Sequence, residues 1–205
     1  MEGDFIKINE WLLPLSWLYG LGASFRNFLF EVGILKSRAY KTPVVSVGNI
    51  TVGGTGKTPH TEMLLRTLQR SDDWGFRNVA VLSRGYKRKS KRFQQVASGD
   101  SATLYGDEPV QIKKKFPAVT VAVDKDRIEG CNFLCHPELL QTSKKARKCV
   151  HKEMEPAELI VLDDAFQYRK LKATYNIVLV DYNRPLNKDM LLPLGRLRDL
   201  PSRLR

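Results

Sequence analysis

Short apolar runs alternate with segments of helical spacing along most of the chain. Pro43 opens Val44-Val45-Ser46-Val47, a β-branched run of the kind that forms a buried parallel strand. A Gly-rich stretch follows at once. Beyond it, Pro59 sits just inside a segment whose Met63, Leu64, Leu65 and Leu68 recur at helical spacing, matching the preference for Pro in a first turn. The pattern then predicts a strand at Val79–Ser83, a basic loop from Arg84 to Arg92, and a helix from Glu108 to Lys115. A strand at Val119–Val123 and a helix from about Asp126 come next. Residues 135–157 read as a polar surface loop with some helix, followed by two further buried strands at Leu159–Leu162 and Ile177–Val180. No internal repeat is visible. Repeated βα units imply an α/β fold with a parallel sheet flanked by helices.

Ahead of that domain, taken as residues 41–205, residues 1–40 form a separate stretch. From Trp11 to Leu35 it is rich in Trp, Leu, Phe and Tyr, with Arg26 and Lys36 interspersed and Pro14 limiting how far back a helix extends. Such an N-terminal amphipathic helical segment has two readings: a helix packed on the domain core, or one lying with its aromatic face in a membrane surface.

Composition narrows the picture. A chain of 205 residues, 42% of them hydrophobic, buries a real core and suits one large α/β domain with a short appendage. Lys and Arg outnumber Asp and Glu by 34 to 22, a net charge of +12 that draws anionic partners without saying which. Cys131, Cys135 and Cys149 are an odd number, which argues against a disulfide framework and fits a reducing cytosol. With His136 and His151 they match no common zinc module, and small buried or loop thiols are the simpler reading. No apolar run reaches the roughly 20 residues of a spanning helix, and the acidic start Met-Glu-Gly-Asp is unlike a secretory signal, so an intracellular protein is expected.

The Gly-rich stretch carries the strongest chemistry. Thr51-Val52-Gly53-Gly54-Thr55-Gly56-Lys57-Thr58 fits a P-loop at every position except the first, where Thr51 replaces Gly. Its glycines let successive backbone N–H groups turn inward around a β-phosphate. Lys57 neutralises β- and γ-oxygens, the Thr58 hydroxyl ligates magnesium, and the following helix adds its positive end. The strand Leu159-Ile160-Val161-Leu162 ends in Asp163-Asp164, the Walker B arrangement in which a carboxylate reaches the same magnesium. The fold is therefore of P-loop NTPase type, with ATP and Mg2+ as expected ligands.

Gly106-Asp107-Glu108-Pro109 falls between strands, where a loop at the C-terminal edge of a parallel sheet faces the phosphates. Asp107 is a candidate general base for an acceptor hydroxyl, with a helix N-cap as the plainer alternative. Glu108 joins Thr58, Asp163 and Asp164 as a candidate magnesium ligand. In Ser83-Arg84-Gly85-Tyr86-Lys87-Arg88-Lys89, the densest positive run, Arg84 and Tyr86 are candidate substrate contacts. Asp124-Lys125-Asp126 is like the guanine-reading motif of GTPases, but its first residue is Asp and its second acid comes one position early. It is no evidence for guanine selectivity.

Five ordered motifs together resemble the tetraacyldisaccharide 4′-kinase family of the lipid A pathway. They are Val47–Pro59, Leu82-Ser83-Arg84-Gly85-Tyr86, Gly106–Pro109, Leu162-Asp163-Asp164-Ala165-Phe166-Gln167 and Leu191-Leu192-Pro193-Leu194-Gly195-Arg196-Leu197-Arg198. In that family Thr or Ser is normal at the position of Thr51. The resemblance implies transfer of the ATP γ-phosphate to the 4′-hydroxyl of a tetraacyldisaccharide 1-phosphate at the cytoplasmic face of the inner membrane. It also implies that Asp107 is the base, that Asp163 and Asp164 are the Walker B pair, and that the aromatic N-terminal segment docks on the bilayer.

This chain departs from the family at three places. Ala165 and Tyr168 replace the usual Gly and His, and the stretch from His136 to Glu155 is longer and more basic. The family pattern also continues past the Leu-Arg motif into a second lobe with a histidine that supports the base, and His60, His136 and His151 do not stand where that partner would. A catalytically impaired fragment that binds ATP and membrane is the alternative to an active kinase. Nucleic-acid binding is not expected, since no recognition module appears.

Overall fold

The computed structural model describes residues 10–70 and 75–204, so the first nine residues of the N-terminal segment lie outside the described residues. One six-stranded sheet has the order β3-β4-β2-β5-β1-β6. Its strands are β1 (Val44–Asn49), β2 (Val79–Ser83), β3 (Gln94–Val96), β4 (Thr120–Val123), β5 (Leu159–Asp163) and β6 (Tyr175–Leu179). Five strands are parallel, and β3 pairs antiparallel with β4 at one edge. The expected parallel sheet is present in those five strands, and β3, a strand the sequence pattern did not predict, adds an antiparallel edge. The chain turns back after β2 through the basic loop with no crossover helix, which forces the next strand to run the other way.

Helices cover both faces, which is why the central strands are continuous apolar runs. On one face Val47, Val81, Val121 and Val161 pack against Leu65 and Leu68 of α2 (Lys57–Arg70) and Val110 and Ile112 of α4 (Asp107–Lys115). The short α3 (Ala102–Tyr105) leads into α4. On the other face Ala80, Leu82, Ile160 and Leu162 pack against Cys131, Phe133 and Leu134 of α5 (Arg127–Cys135). The polar stretch after it holds α6 (Leu139–Thr142) and buries Leu140, Ala146 and Cys149.

Strand β6 begins two residues earlier than the sequence pattern suggested, and it is not buried. Tyr175 is 67% and Ile177 38% exposed, because β6 is the sheet edge beside β1 and only Val178 and Leu179 join buried clusters.

Helix α1 (Leu13–Glu31) has Pro14 in its first turn, and its buried residues are Ser16, Gly20 and Asn27. Ser16 Oγ donates to Leu191 O at 2.8 Å, Tyr19 Oη to Arg198 O at 2.7 Å, and Asn27 Nδ2 to Asp199 Oδ1 at 2.9 Å. Its polar side thus faces the domain. Trp17, Leu18, Leu21, Phe25 and Phe28 point outward, between 54% and 75% exposed. Among the described residues no helix is long and apolar enough to cross a membrane.

These burial differences set the cost of truncation. Ile160→Ala, at a fully buried position, is expected to lower the unfolding free energy by about 2–5 kcal/mol in urea titrations. Ile177→Ala on the open edge is expected to cost less than about 1 kcal/mol.

Candidate active site

Parallel pairing sets Val47 of β1 level with Asp163 of β5, so the Gly-rich loop and the acidic pair leave the sheet side by side. Left-handed backbone at Gly53 (φ +122°) and Gly56 (φ +75°) turns the loop back toward α2, whose first residue is Lys57. Asn49 Nδ2 donates to Thr55 Oγ1 at 2.7 Å, and Gln167 Nε2 donates to the Asn49 carbonyl at 2.6 Å. The loop is held from its other side by the Leu191–Arg198 segment. Val52 N donates to Arg196 O at 2.7 Å. Arg198 donates to Thr51 O and Asn49 Oδ1, both at 3.0 Å, and to Asp164 Oδ2 at 3.4 Å.

Lys57 Nζ lies 3.6 Å from Asp164 Oδ1, and Thr58 Oγ1 lies 3.4 Å from Glu108 Oε1. Asp163 is buried at the end of β5, where Ser83 Oγ donates to its Oδ2 at 3.3 Å. Arg127, itself buried, donates to the backbone carbonyls of Asp163 at 3.1 Å and Asp124 at 2.6 Å, tying the ends of β4 and β5. Burial, with Glu108 and Asp164 nearby, pushes the Asp163 carboxyl up to about 6. Asp164 adopts a left-handed φ of +50°, and its buried Oδ1 has no hydrogen-bond partner.

These oxygens fit a hard divalent cation. Asp163, Asp164, Glu108 and the Thr58 hydroxyl are the donors magnesium takes, and a bound cation would offset both the burial and the acidic neighbours that raise Asp163. Among the described residues no three acidic, imidazole or thiol groups are gathered closely enough to hold a metal ion by themselves.

Asp107 is the first residue of α4. Gly106 holds the cap position without a side-chain bond, and the exposed Asp107 carboxylate has no hydrogen-bond or ion partner among the described residues. The helix-cap alternative therefore does not describe it. Gly85 (φ +66°) and Gly106 (φ +100°) press the two motif loops together: a Cβ on Gly106 would meet the Gly85 Cα at 3.4 Å, and one on Gly85 would meet the Tyr105 carbonyl at 3.0 Å. Arg84 and the 74%-exposed Tyr86 flank that contact, on the loop beside Asp107. A cavity of about 680 Å³ lies elsewhere, against Ser46, Leu162 and Asn176. Phosphate sites of this loop type are open rims at strand ends, so the chemistry does not follow cavity size.

Residues 8–205 match the family model described as tetraacyldisaccharide-1-P 4′-kinase. The chain belongs to the tetraacyldisaccharide 4′-kinase family. It is 52% identical over 199 residues to tetraacyldisaccharide 4′-kinase of Phocaeicola vulgatus, covering 97% of this chain and 49% of that protein. With the kinase of Porphyromonas gingivalis it shares 50% identity over 196 residues, 96% of this chain and 50% of the relative. The chain thus spans about half the length of the curated relatives it matches. A crystal structure of LpxK from Aquifex aeolicus in complex with ATP superposes with a TM-score of 0.75 at 37% identity, covering 95% of this chain and 55% of that one.

Within this family member, the Asp124-Lys125-Asp126 run is structural. Asp126 caps α5 by accepting from Ile128 N at 3.0 Å and Glu129 N at 3.2 Å, and Tyr168 Oη donates to the same carboxylate at 2.8 Å. Tyr168 is pushed up to about 12 by burial and by Asp126, so it stays a neutral donor. Cys131 and Cys149 are buried, and Cys135 donates to Thr42 Oγ1 at 3.5 Å. Sequence reading assigned no role to Asn49, Arg127, Gln167 or Arg198. Arg198 and Gln167 lie inside quoted motifs, which was the available signal, whereas the bridge made by Arg127 appears only in three dimensions.

Asp124 is buried, its Oδ2 lacks a partner, and burial pushes it up to about 6. Since that lies above the ordinary value near 4, the folded state holds the proton more tightly than the unfolded chain. Its contribution to stability is full below about pH 4 and falls as pH rises to about 6. Asp124→Asn is expected to remove a decline of on the order of 1–3 kcal/mol across that window in urea unfolding series, leaving nucleotide binding intact.

Proposed function

We propose that this chain binds ATP with magnesium and carries the acceptor-activating machinery of a kinase. Its substrate would be a tetraacyldisaccharide 1-phosphate, phosphorylated on the 4′-hydroxyl in lipid A biosynthesis. The observation that carries this reading is the convergence on one rim of the Lys57–Asp164 pair, the Thr58–Glu108 contact and an unpartnered Asp107. Family membership supports the substrate class, and the ATP complex of the Aquifex aeolicus relative supports the nucleotide.

Backbone N–H groups of Gly53, Gly54 and Gly56 cradle the β-phosphate, since the Val52 N–H is already given to Arg196 O and the Thr55 N–H to Gly53 O, and Lys57 neutralises the β- and γ-oxygens as it leaves Asp164. Thr58, Asp163, Asp164 and Glu108 would hold a magnesium ion, which would supply charge neutralisation. Asp107 accepts the proton of the 4′-hydroxyl. That oxygen forms the new bond to the γ-phosphorus while the bridging P–O bond breaks, and ADP departs with the electron pair. Arg84 and Tyr86 contact the anionic sugar beside Asp107. The outward aromatic face of α1 lies in the lipid interface, which makes the protein peripheral on the cytoplasmic face of the bacterial inner membrane.

Asp107→Ala tests the base. Transfer to tetraacyldisaccharide 1-phosphate is expected to fall by roughly 100- to 10,000-fold while ATP affinity changes little. Transfer undiminished in that variant overturns the assignment, and ATP binding without turnover by the wild-type chain restricts the function to the nucleotide step. For α1, Trp17→Ser with Phe25→Ser is expected to abolish co-sedimentation with phosphatidylcholine vesicles, and unchanged co-sedimentation would refute the interfacial role.

A further inference from the structure

The chain's net charge is concentrated in two segments that the proposed chemistry leaves largely unused. Residues 84–92 and 144–152 together hold eleven Lys and Arg and no Asp or Glu, against a net +12 for the whole chain. The fold brings them together. Buried Gln94 donates from Nε2 to Lys91 O at 3.1 Å and Lys148 O at 2.7 Å, and its Oε1 accepts from Val150 N at 3.3 Å. Lys89, Lys91, Leu104, Lys148 and Val150 line one shallow groove of about 350 Å³ around it. Among the described residues, Lys145 is the only one of the eleven cations in a salt bridge, with Glu129 at 2.6 Å. Surface cations kept near one another without counter-charges repel, and a fold that gathers them gains only when an anionic surface meets them.

We propose that this patch is a second membrane-docking surface, selective for anionic lipid headgroups and separate from α1. It rests on the proposed membrane-borne acceptor, and not on α1 itself. Three observations favour a bilayer over nucleic acid. The patch is studded with exposed apolar groups, Tyr86 at 74%, Val150 at 70% and Leu104 at 45%, an amphipathic mixture suited to a lipid interface. It is built of loops and short turns, with no long helix or two-stranded ribbon to enter a groove. Its position also matches that of α1. Arg84 directly follows the last residue of β2, and Gln94 pairs with Val123, the last residue of β4, so the patch rims the C-terminal edge of the sheet. Across the same edge, Ser16 and Tyr19 fix α1 to Leu191 and Arg198, the segment that clamps Thr51. Two anchors on either side of the site mouth hold it against the surface that carries a lipid acceptor. Neither need be strong alone, since stable peripheral binding takes two signals.

The test compares vesicles of phosphatidylcholine alone with vesicles containing one-third phosphatidylglycerol. Wild-type chain is expected to bind the anionic vesicles on the order of 100-fold more tightly, with the gap closing as salt rises. Lys89→Gln, Lys91→Gln, Arg147→Gln and Lys148→Gln combined should bind both vesicles alike, with unchanged thermal unfolding and unchanged ATP affinity. The pair Lys89→Gln and Lys148→Gln should show an intermediate loss. Retention of the wild-type anionic preference by the quadruple variant overturns the proposal, as does a loss confined to duplex DNA or RNA binding. The α1 double variant separates the two readings, because it should lose binding to neutral vesicles and keep the anionic increment. Wild-type binding to anionic but not neutral vesicles would overturn the α1 reading and leave this one standing. Binding to neither vesicle overturns both.

Discussion

Every feature of the site depends on the parallel register of β1 against β5. Because Val47 stands level with Asp163, the Gly-rich loop and the acidic pair emerge at one height, and Lys57 meets Asp164 at 3.6 Å. A slip of one residue would send every strand side chain to the opposite face and bury the wrong set. The β-branched runs on both strands fix that register, since Val44, Val47, Ile160 and Val161 each face a helix-covered core. Folding energy and site geometry therefore come from the same contacts.

Around this axis the structure holds charge in a poised state. Arg198 ties Thr51, Asn49 and Asp164 into one unit, while Asp163 is raised to about 6 by burial and by its acidic neighbours. Carboxylates crowded in this way bind a cation readily, and an ammonium already neutralised by one carboxylate transfers readily to phosphate oxygens. The Gly85–Gly106 contact performs the equivalent task for the other wall, seating Asp107 beside Arg84 and Tyr86.

Much of this was legible in the sequence, and the parts that were not share a cause. Strands β2 and β5 and helices α2 and α4 carry strong local signals: β-branched runs, helical spacing, Pro59 in a first turn. Thr51–Thr58 and Asp163-Asp164 are contiguous, so spacing alone exposes them. Strand β3 was missed because Gln94-Gln95-Val96 has no apolar run and is set by pairing with β4. Strand β6 reads as buried because its composition resembles a central strand, whereas burial depends on what lies over it. Helix α1 shows most clearly what periodicity leaves open: it marks an apolar face, but only tertiary hydrogen bonds from Ser16 and Asn27 show that the polar face is the docked one. Arg127 and Arg198 act across long sequence separations, where no local pattern can reach.

The central claim is that the β1–β5 register builds a phosphate cradle around Lys57. Calorimetric titration of the 205-residue chain with a non-hydrolysable ATP analogue, with and without magnesium, tests it. One saturable site that tightens with magnesium is expected, with a loss of affinity of at least about tenfold in Lys57→Ala, as for removing a charge-assisted phosphate contact. Absence of saturable binding, or equal affinity in wild type and Lys57→Ala, would contradict it.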